Sequence, residues 1–476
     1  MRLKLPETSK IGECYECGVC TSTCPLAHMI PWHYNPRTTM LRLFLDPEKT
    51  IMSIAPWLCM RCRRCSKQCP QRMSPHELFF QVRTAAVNSG YIQDPLQQIY
   101  EVISLLEEKI PLPLISSWLC LRPDEVHETS SRMSEAVDEA LGSFVERHVK
   151  SLHSNPVEGS KKVAVAGSGP AGLAAASELA RRGYSVSILE ISSSLGGMLR
   201  HGIPNFRLSR DIVDAEVQHL LNLGVDVETN ICLGKDTTIQ NLFDAGNRAV
   251  FLASGCSVPM TLPVDGNRLD GVIYAIDFLK TVNGGRQIKL GNSVAVIGGG
   301  NVGIDAARTA VRMKAPEVRL LCPESREEMP SDLTDILRAE REGIQIQPSC
   351  IPMKIIGKEG KVTSIQCLKA RPGQYDRDGR FLLIPIKGTE FDVEADTVIV
   401  AIGQQVELDS LPAEIRVTEQ NTVGTDPFTL ETSMDGVFAG GDITSGPASV
   451  FEAIYAGWKG AISMDHYIRC GTAGPI

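Results

Sequence analysis

No stretch of this chain stays apolar for the roughly 18 residues a membrane-spanning helix needs, so no span is expected. An excess of positive charge is missing too. The 48 Lys and Arg against 56 Asp and Glu leave a net charge of −8, which argues against a general nucleic-acid binder. The opening residues, Met1-Arg2-Leu3-Lys4-Leu5-Pro6, lack the apolar core of a secretory signal. Cysteine, by contrast, is plentiful, with 15 in 476 residues. Without an export signal, and with metal-like spacing, these point to a reducing, cytoplasmic setting. The remaining composition, 43% hydrophobic and 22% charged, is that of an ordinary globular chain long enough for about three domains.

Eight cysteines fall in two runs of one pattern, C-x2-C-x2-C-x3-C-P. They are Cys14, Cys17, Cys20 and Cys24 before Pro25, then Cys59, Cys62, Cys65 and Cys69 before Pro70. That spacing suits a pair of [4Fe–4S] clusters, with three thiolates of each run on one cluster and the fourth reaching across to the other. The expected sets are Cys14, Cys17, Cys20 and Cys69, and Cys59, Cys62, Cys65 and Cys24. Structural zinc is the alternative, since C-x2-C pairs also suit that ion. Zinc sites, however, take four ligands in two pairs, which fits eight cysteines with two Cys-Pro endings poorly. Arg61, Arg63, Arg64 and Lys67 interleave the second run; they compensate its charge, raise its potential or dock an acidic partner. His28, His33 and His76 read as surface residues, because eight thiols already satisfy two clusters. Cys256, Cys322, Cys350, Cys367 and Cys470 are scattered, form no C-x2-C pair, and read as buried structural thiols.

Residues 1–105 are expected to form a helical cluster domain, from the apolar spacing in Arg37–Leu45 and Pro75–Arg83. Residues 106–160 read as a helical linker, with an amphipathic helix near Ser134–Val149 and a loose Ser154–Ser160. From Lys161 strands alternate with helices, the mark of parallel α/β architecture. Two copies of one device suggest two dinucleotide-binding domains: 161–285 with 405–476, and 286–404. The fold class expected is thus an all-α ferredoxin-like domain followed by an α/β flavoprotein with two Rossmann-like domains.

The first device is the strand Val163–Ala166, the turn Gly167-Ser168-Gly169-Pro170-Ala171-Gly172, and a helix over Leu173–Arg182. Glycines let the backbone approach a pyrophosphate held at the helix N-terminus. Glu190 ends the next strand, 23 residues after Gly167, where a carboxylate accepts from a ribose hydroxyl. The second is Gly298-Gly299-Gly300-Asn301-Val302-Gly303, followed by a helix over Ile304–Met313 and the strand Val318–Cys322 running into Glu324. A carboxylate there favours NADH, with a bare 2′-hydroxyl, over NADPH. Arg326 remains available for a phosphate. Near the end, Gly436–Asp442 reads as a strand closing on an aspartate, before a helix ending near Gly457. Gly441, Asp442 and Ala448 are placed against a flavin, with the helix N-terminus aimed at its pyrimidine edge. The simpler reading of Asp442 is a helix N-cap.

Gly167–Gly172, Glu190, Gly196-Gly197-Met198-Leu199, Gly202–Leu208 and Ala439–Asp442 together resemble the small subunit of glutamate synthase. That flavoprotein family includes the large subunit of the bifurcating ferredoxin:NADP transhydrogenase and a domain of dihydropyrimidine dehydrogenase. The resemblance covers about residues 106–470. It implies FAD on the first glycine turn, with Gly197 and Met198 beside it, and NAD(P)H on the second. Family members often carry an arginine pair before Ser-Arg-Glu-Glu-Met-Pro; here Ser325–Pro330 matches, but Pro323 and Glu324 stand in the arginine positions. The family's second cysteine-rich segment is reduced here to Pro113–Cys120. Instead, Cys14–Cys20, Asn35-Pro36-Arg37 and Trp57-Leu58-Cys59 are similar to the small iron–sulfur subunit of heterodisulfide reductase.

The expectation is therefore a fusion: an NAD(P)H oxidoreductase subunit carrying FAD and two [4Fe–4S] clusters. It hands single electrons to a partner redox protein, or runs in reverse, with an electron-bifurcating complex as one setting. No side chain need act as acid or base in hydride transfer, so no catalytic residue is assigned. The alternatives are a stand-alone enzyme of the glutamate synthase small-subunit type and a non-catalytic electron-transfer scaffold.

Overall fold

The computed structural model describes residues 14–88, 161–375 and 381–472. The linker expected over 106–160, with its amphipathic helix, and Pro113–Cys120 lie outside the described residues. What is described divides into two compact units. One comprises the residues up to Leu199, Arg207–Gly255 and those from Leu408 onward; the other comprises Arg200–Phe206 and Cys256–Glu407.

In the first unit, described residues 14–88 are short helices joined by turns, without a strand among them. Helix Pro36–Leu45 has proline at its first position, where no backbone N–H is needed. Asn35 caps it: the Asn35 side chain accepts from Thr38 N–H at 3.2 Å. Helix Pro75–Asn88 closes the module.

The sixteen strands among the described residues, in chain order, begin with β1 (Lys162–Ala166), β2 (Ser185–Glu190), β3 (Asp226–Thr229) and β4 (Asn247–Leu252). Then follow β5 (Val258–Pro259), β6 (Val272–Tyr274), β7 (Ser293–Ile297), β8 (Glu317–Leu321) and β9 (Gln345–Gln347). The remainder are β10 (Cys350–Lys358), β11 (Lys361–Tyr375), β12 (Phe381–Pro385), β13 (Phe391–Glu394), β14 (Thr397–Val400), β15 (Gln404–Gln405) and β16 (Val437–Ala439).

The first unit holds a parallel sheet ordered β16-β4-β1-β2-β3. β1 is buried over Val163–Ala166, as a strand covered on both faces must be. Helix Pro170–Arg181 lies over this sheet and buries Ala171, Ala174, Ala175 and Ala176. Those small side chains, with Gly457 opposite, let helix Val450–Cys470 approach backbone to backbone: a Cβ at Gly457 would collide with the Ala171 carbonyl. That final helix runs to Cys470, well past the end expected near Gly457, because Gly457 and Gly460 serve close packing rather than termination. Cys470 is exposed, against the buried reading of the sequence.

The second unit holds a parallel sheet ordered β6-β14-β7-β8-β9. β6 and helix Ala275–Asn283 belong to it, so the unit begins at Cys256 rather than at residue 286. The cause is pairing: Val272–Tyr274 hydrogen-bond with Val398–Val400. An antiparallel sheet of β10, β11, β12 and β13 interrupts the αβ alternation, and nothing in the sequence reading anticipated it.

Candidate functional site

The two cysteine runs share one backbone course. Glu16 (φ 51°) and Gly18 (φ 82°) are left-handed in the first run, and Arg61 (φ 51°) and Arg63 (φ 66°) are left-handed at the same offsets in the second. A four-residue helix follows each, Val19–Ser22 and Arg64–Lys67. Three non-glycine residues held in a sparsely allowed conformation mark a constrained, functional turn.

Cys14, Cys17, Cys20 and Cys69 line one cavity, together with Arg37 and Met40. Cys24 instead neighbours Cys62, Cys59 and Cys65; burial, then those three groups, push its thiol far up. Burial likewise pushes Cys62 and Cys65 up to about 12, so neither is a thiolate at neutral pH without a cation beside it. Among the described residues no three His, Cys, Asp or Glu side chains are close enough to share one metal ion. Four thiols spread around a cavity suit a wider group. Arg83 supplies a further sign. It is buried, donates to the Pro56 carbonyl and, at 2.9 Å, to the Cys59 carbonyl, and its Nη1 has no partner. A buried guanidinium of this kind calls for an anion nearby, and the thiolates of a cluster, were Cys59 to hold one, would supply that charge.

His76 is buried, contrary to the surface reading. Its Nδ1 meets Ser66 Oγ at 2.7 Å, and burial, aided by Arg63 and Arg61, pushes its pKa down to about 3. His28 and His33 are exposed.

In the first glycine turn, Gly167 N–H donates to Leu189 O at 2.8 Å, fixing the turn to β2. Helix Pro170–Arg181 starts inside the turn, three residues earlier than the sequence reading had it, with Gly169 as extended N-cap. Glu190 is buried at the end of β2. Its Oε2 accepts from Ser168 N at 2.9 Å and from Ser168 Oγ at 2.5 Å, and Oε1 accepts from Ser192 N at 2.8 Å. A carboxylate offers about four acceptor positions, so roughly one remains on Oε1 for a ribose. Ser168, which the sequence reading passed over, is the hinge of this arrangement: its Oγ also accepts from Gly196 N at 3.1 Å. Gly197 and Met198 follow, and Gly197 lies so close to Gly169 that a Cβ there would stand 2.7 Å from the Gly169 Cα.

Gly441 rests against the same helix start; a Cβ on it would be 2.8 Å from the Ala171 Cβ. Asp442 opens the short helix Asp442–Ser445 instead of capping it, and its Oδ1 accepts from Ala448 N at 3.3 Å. Burial pushes its carboxyl up to about 7. The start of helix Val450–Cys470 carries a capping box between Ser449 and Glu452. The Glu452 carboxylate therefore offsets part of the positive helix end expected to face a flavin.

The second turn repeats the first. Gly298 N–H donates to Leu321 O at 2.8 Å, and helix Asn301–Arg312, holding Asn301, Val302 and Gly303, begins with Gly300 as extended N-cap. Ser331 Oγ, also missed from sequence, donates to Gly299 O at 2.8 Å. Glu324 stands beyond β8, its Oε2 3.4 Å from the Cβ position of Gly299. That oxygen has no hydrogen-bond partner, and burial raises the carboxyl's pKa. Arg326 is held by Glu340 through bonds of 3.0 and 2.9 Å. In the same unit Cys350 Sγ donates to Gln347 O at 3.3 Å, and the Cys367 thiol across β10 and β11 lies near enough to bear on the titration of Cys350, a proximity invisible in their spacing.

Two parallel sheets, each with a glycine turn leading into a helix, and a module with eight cysteines in two sets define a two-dinucleotide redox protein. Residues 161–457 match the pyridine nucleotide-disulphide oxidoreductase family, and residues 10–73 match the 4Fe-4S dicluster domain. The chain belongs to the first family, and its cofactor classes are iron–sulfur, flavin and nicotinamide. It is 42% identical over 322 residues to the NADP(+)-dependent formate dehydrogenase subunit beta of Moorella thermoacetica, covering 67% of this chain and 45% of that protein. With the glutamate synthase [NADPH] small chain of Azospirillum brasilense it shares 34% identity, covering 66% and 68%. The chain spans about half the length of the first curated relatives it matches. Mycobacterium tuberculosis FprA in complex with NADPH has the same fold over 67% of this chain and 87% of that one, with a TM-score of 0.55 at 17% identity. No described helix is long and apolar enough to cross a membrane.

Proposed function

We propose that this chain is the NADH-oxidising subunit of a larger cytoplasmic redox complex, passing electrons to two [4Fe–4S] clusters and on to a partner protein. Cys14, Cys17, Cys20 and Cys69 would hold one cluster and Cys24, Cys59, Cys62 and Cys65 the other, in an all-α ferredoxin module. Gly167, Gly169, Pro170, Ala171, Gly172, Glu190, Gly197, Met198, Gly441, Asp442 and Ala448 would hold FAD. Gly298, Gly300, Asn301, Val302, Gly303 and Glu324 would hold the nicotinamide nucleotide. Bound FAD takes a hydride and releases single electrons, which is the conversion a chain with both kinds of site requires. The protein's own part is placement: turns that admit pyrophosphates, and carboxylates at the two ribose positions.

The observation that carries this reading is the pair of thiol sets in one unit with a glycine turn. The formate dehydrogenase and glutamate synthase relatives bear NADP(H) in their names; the departure at Glu324 supports NADH instead. Its partnerless Oε2 can accept from a 2′-hydroxyl, whereas a 2′-phosphate would meet a carboxylate, and Arg326 is engaged with Glu340. Anaerobic reconstitution of the full chain should give about eight irons and one FAD, bleached by NADH in preference to NADPH. Glu324→Gln should narrow that preference at least tenfold in kcat/KM. A flavin that neither nucleotide reduces would overturn the dehydrogenase reading, and a native preference for NADPH would overturn the role of Glu324.

A further inference from the structure

We propose that the two thiol pockets occupy fixed and unequal places: the Cys24, Cys59, Cys62 and Cys65 pocket is the inner one, joined to the flavin-binding half through Glu452, and the Cys14, Cys17, Cys20 and Cys69 pocket is the outer, partner-facing one. This rests on the function proposed above and adds an order to it.

Three observations converge. Arg64, between Cys62 and Cys65, forms a 3.4 Å ion pair with Glu452 in the first turn of helix Val450–Cys470. Second, His28, on the short helix that Cys24 caps, packs its ring 5.9 Å from Tyr455 of the same helix, and Tyr455 stacks on Trp458 at 6.0 Å. This helix packs against the one that begins at the Gly167–Gly172 turn, since Gly457 meets Ala171 backbone to backbone. Third, among the described residues the cavity of Cys14, Cys17, Cys20 and Cys69 is lined from within 14–75 alone, and its Cys17 is exposed. The two pockets adjoin, because helix Val19–Ser22, which carries Cys20, packs against helix Arg64–Lys67, which carries Cys65.

Glu452 and Arg64 are thus positioning residues. Glu452 holds the helix end through the capping box with Ser449, and holds the inner pocket through Arg64. Electron transfer weakens steeply with distance, so a pocket tied to the flavin half takes each electron first. With both groups bound, a flavin reduced by one hydride would return two single electrons and one proton, and the electrons would leave in turn by the inner pocket, the outer pocket and the partner.

Glu452→Gln and Arg37→Gln test this in the reconstituted full chain by mediated redox titration followed by electron paramagnetic resonance. Neither residue is a ligand. Removing the Glu452 carboxylate should favour reduction of one cluster threefold or more, and removing the Arg37 cation, which lines the outer cavity, should disfavour the other by a similar factor. In stopped flow with NADH, Glu452→Gln should slow cluster bleaching at least threefold relative to flavin reduction in the same variant, while Arg37→Gln should not lower that ratio. The order is overturned if both variants shift the same signal, if Glu452→Gln shifts none, or if Arg37→Gln alone slows bleaching. Mediators reduce the clusters without NADH, so the titration reports the order even if the dehydrogenase reading itself fails.

Discussion

Gly300 and Gly303 of the second turn should respond to alanine in opposite ways. At Gly303 an added methyl would be driven into the carbonyl oxygen of Gly298 and stand 3.6 Å from the Ala401 Cβ. The obstacle is backbone, which cannot swing aside. Overpacking of this kind costs about 1–3 kcal/mol or more, against about 1 kcal/mol gained from the better helix propensity of alanine. A net loss of about 2 kcal/mol lowers the melting temperature by about 4–8 °C for a unit of this size. At Gly300 nothing lies within 4 Å of the added methyl, and the backbone is extended (φ −81°, ψ 173°), so alanine is tolerated by the fold at under about 1 kcal/mol. That open space, in front of a helix N-terminus, is where the pyrophosphate must come. Gly300→Ala should therefore melt within about 2 °C of the native chain yet bind NADH ten- to a hundredfold more weakly, about 1.4–2.8 kcal/mol. Thermal melts by circular dichroism with NADH titration calorimetry separate the two effects. A Gly300→Ala protein that binds NADH as the native chain does would refute the reasoning, as would a Gly303→Ala protein of native stability. Gly169 and Gly172 form the same contrast in the first turn, with open space at Gly169 and the Gly167 carbonyl against Gly172.

Other perturbations have equally definite outcomes. Burial alone pushes the Glu216 carboxyl up to about 8, and its Oε1 has no partner. Because the folded pKa lies above the unfolded value of about 4.3, this group's contribution is present below about pH 4.3 and is lost as pH rises toward 8, at about 1.4 kcal/mol per unit. Urea midpoints at pH 5.5 and 7.5 should fall more steeply in the native chain than in Glu216→Gln; parallel slopes would show that Glu216 is not the buried acid described. Arg83→Met removes a buried cation and leaves the Pro56 and Cys59 carbonyls without a donor, each costing about 1–3 kcal/mol. A cluster held through Cys59, as proposed above, should become harder to reduce, and Arg83→Lys should restore its potential. If Met and Lys variants have the same potential, Arg83 acts through packing and not through charge.

Much of the candidate site was legible because it is local. A β-branched strand, a glycine turn and a helix lie within twenty or so residues, and the carboxylate follows one strand later. The cysteine runs are shorter still, and Asn35-Pro36 announces a helix start on sequence grounds alone. The errors have a common origin. The boundary expected at 286 failed because β6 finds its partner at Val398–Val400, far along the chain. The helix end expected at Gly457 failed because that glycine answers to Ala171 on another helix. The surface reading of His76 rested on eight thiols already satisfying two clusters, yet Ser66 gives it a buried partner that needs no metal.

The sequence by itself determined the chemistry: which thiols occur in runs, which turns can approach a phosphate, and where a carboxylate ends a strand. Those features depend on residue type at short spacing, and a reader of the chain needs only local geometry to find them. Tertiary structure alone decided which distant groups share a space. It set Cys69 among Cys14, Cys17 and Cys20, put Arg64 against Glu452 nearly four hundred residues away, and buried Arg83 beside Cys59. Such contacts follow from how helices and sheets bury their apolar faces against one another, and no pattern within a single segment encodes that outcome.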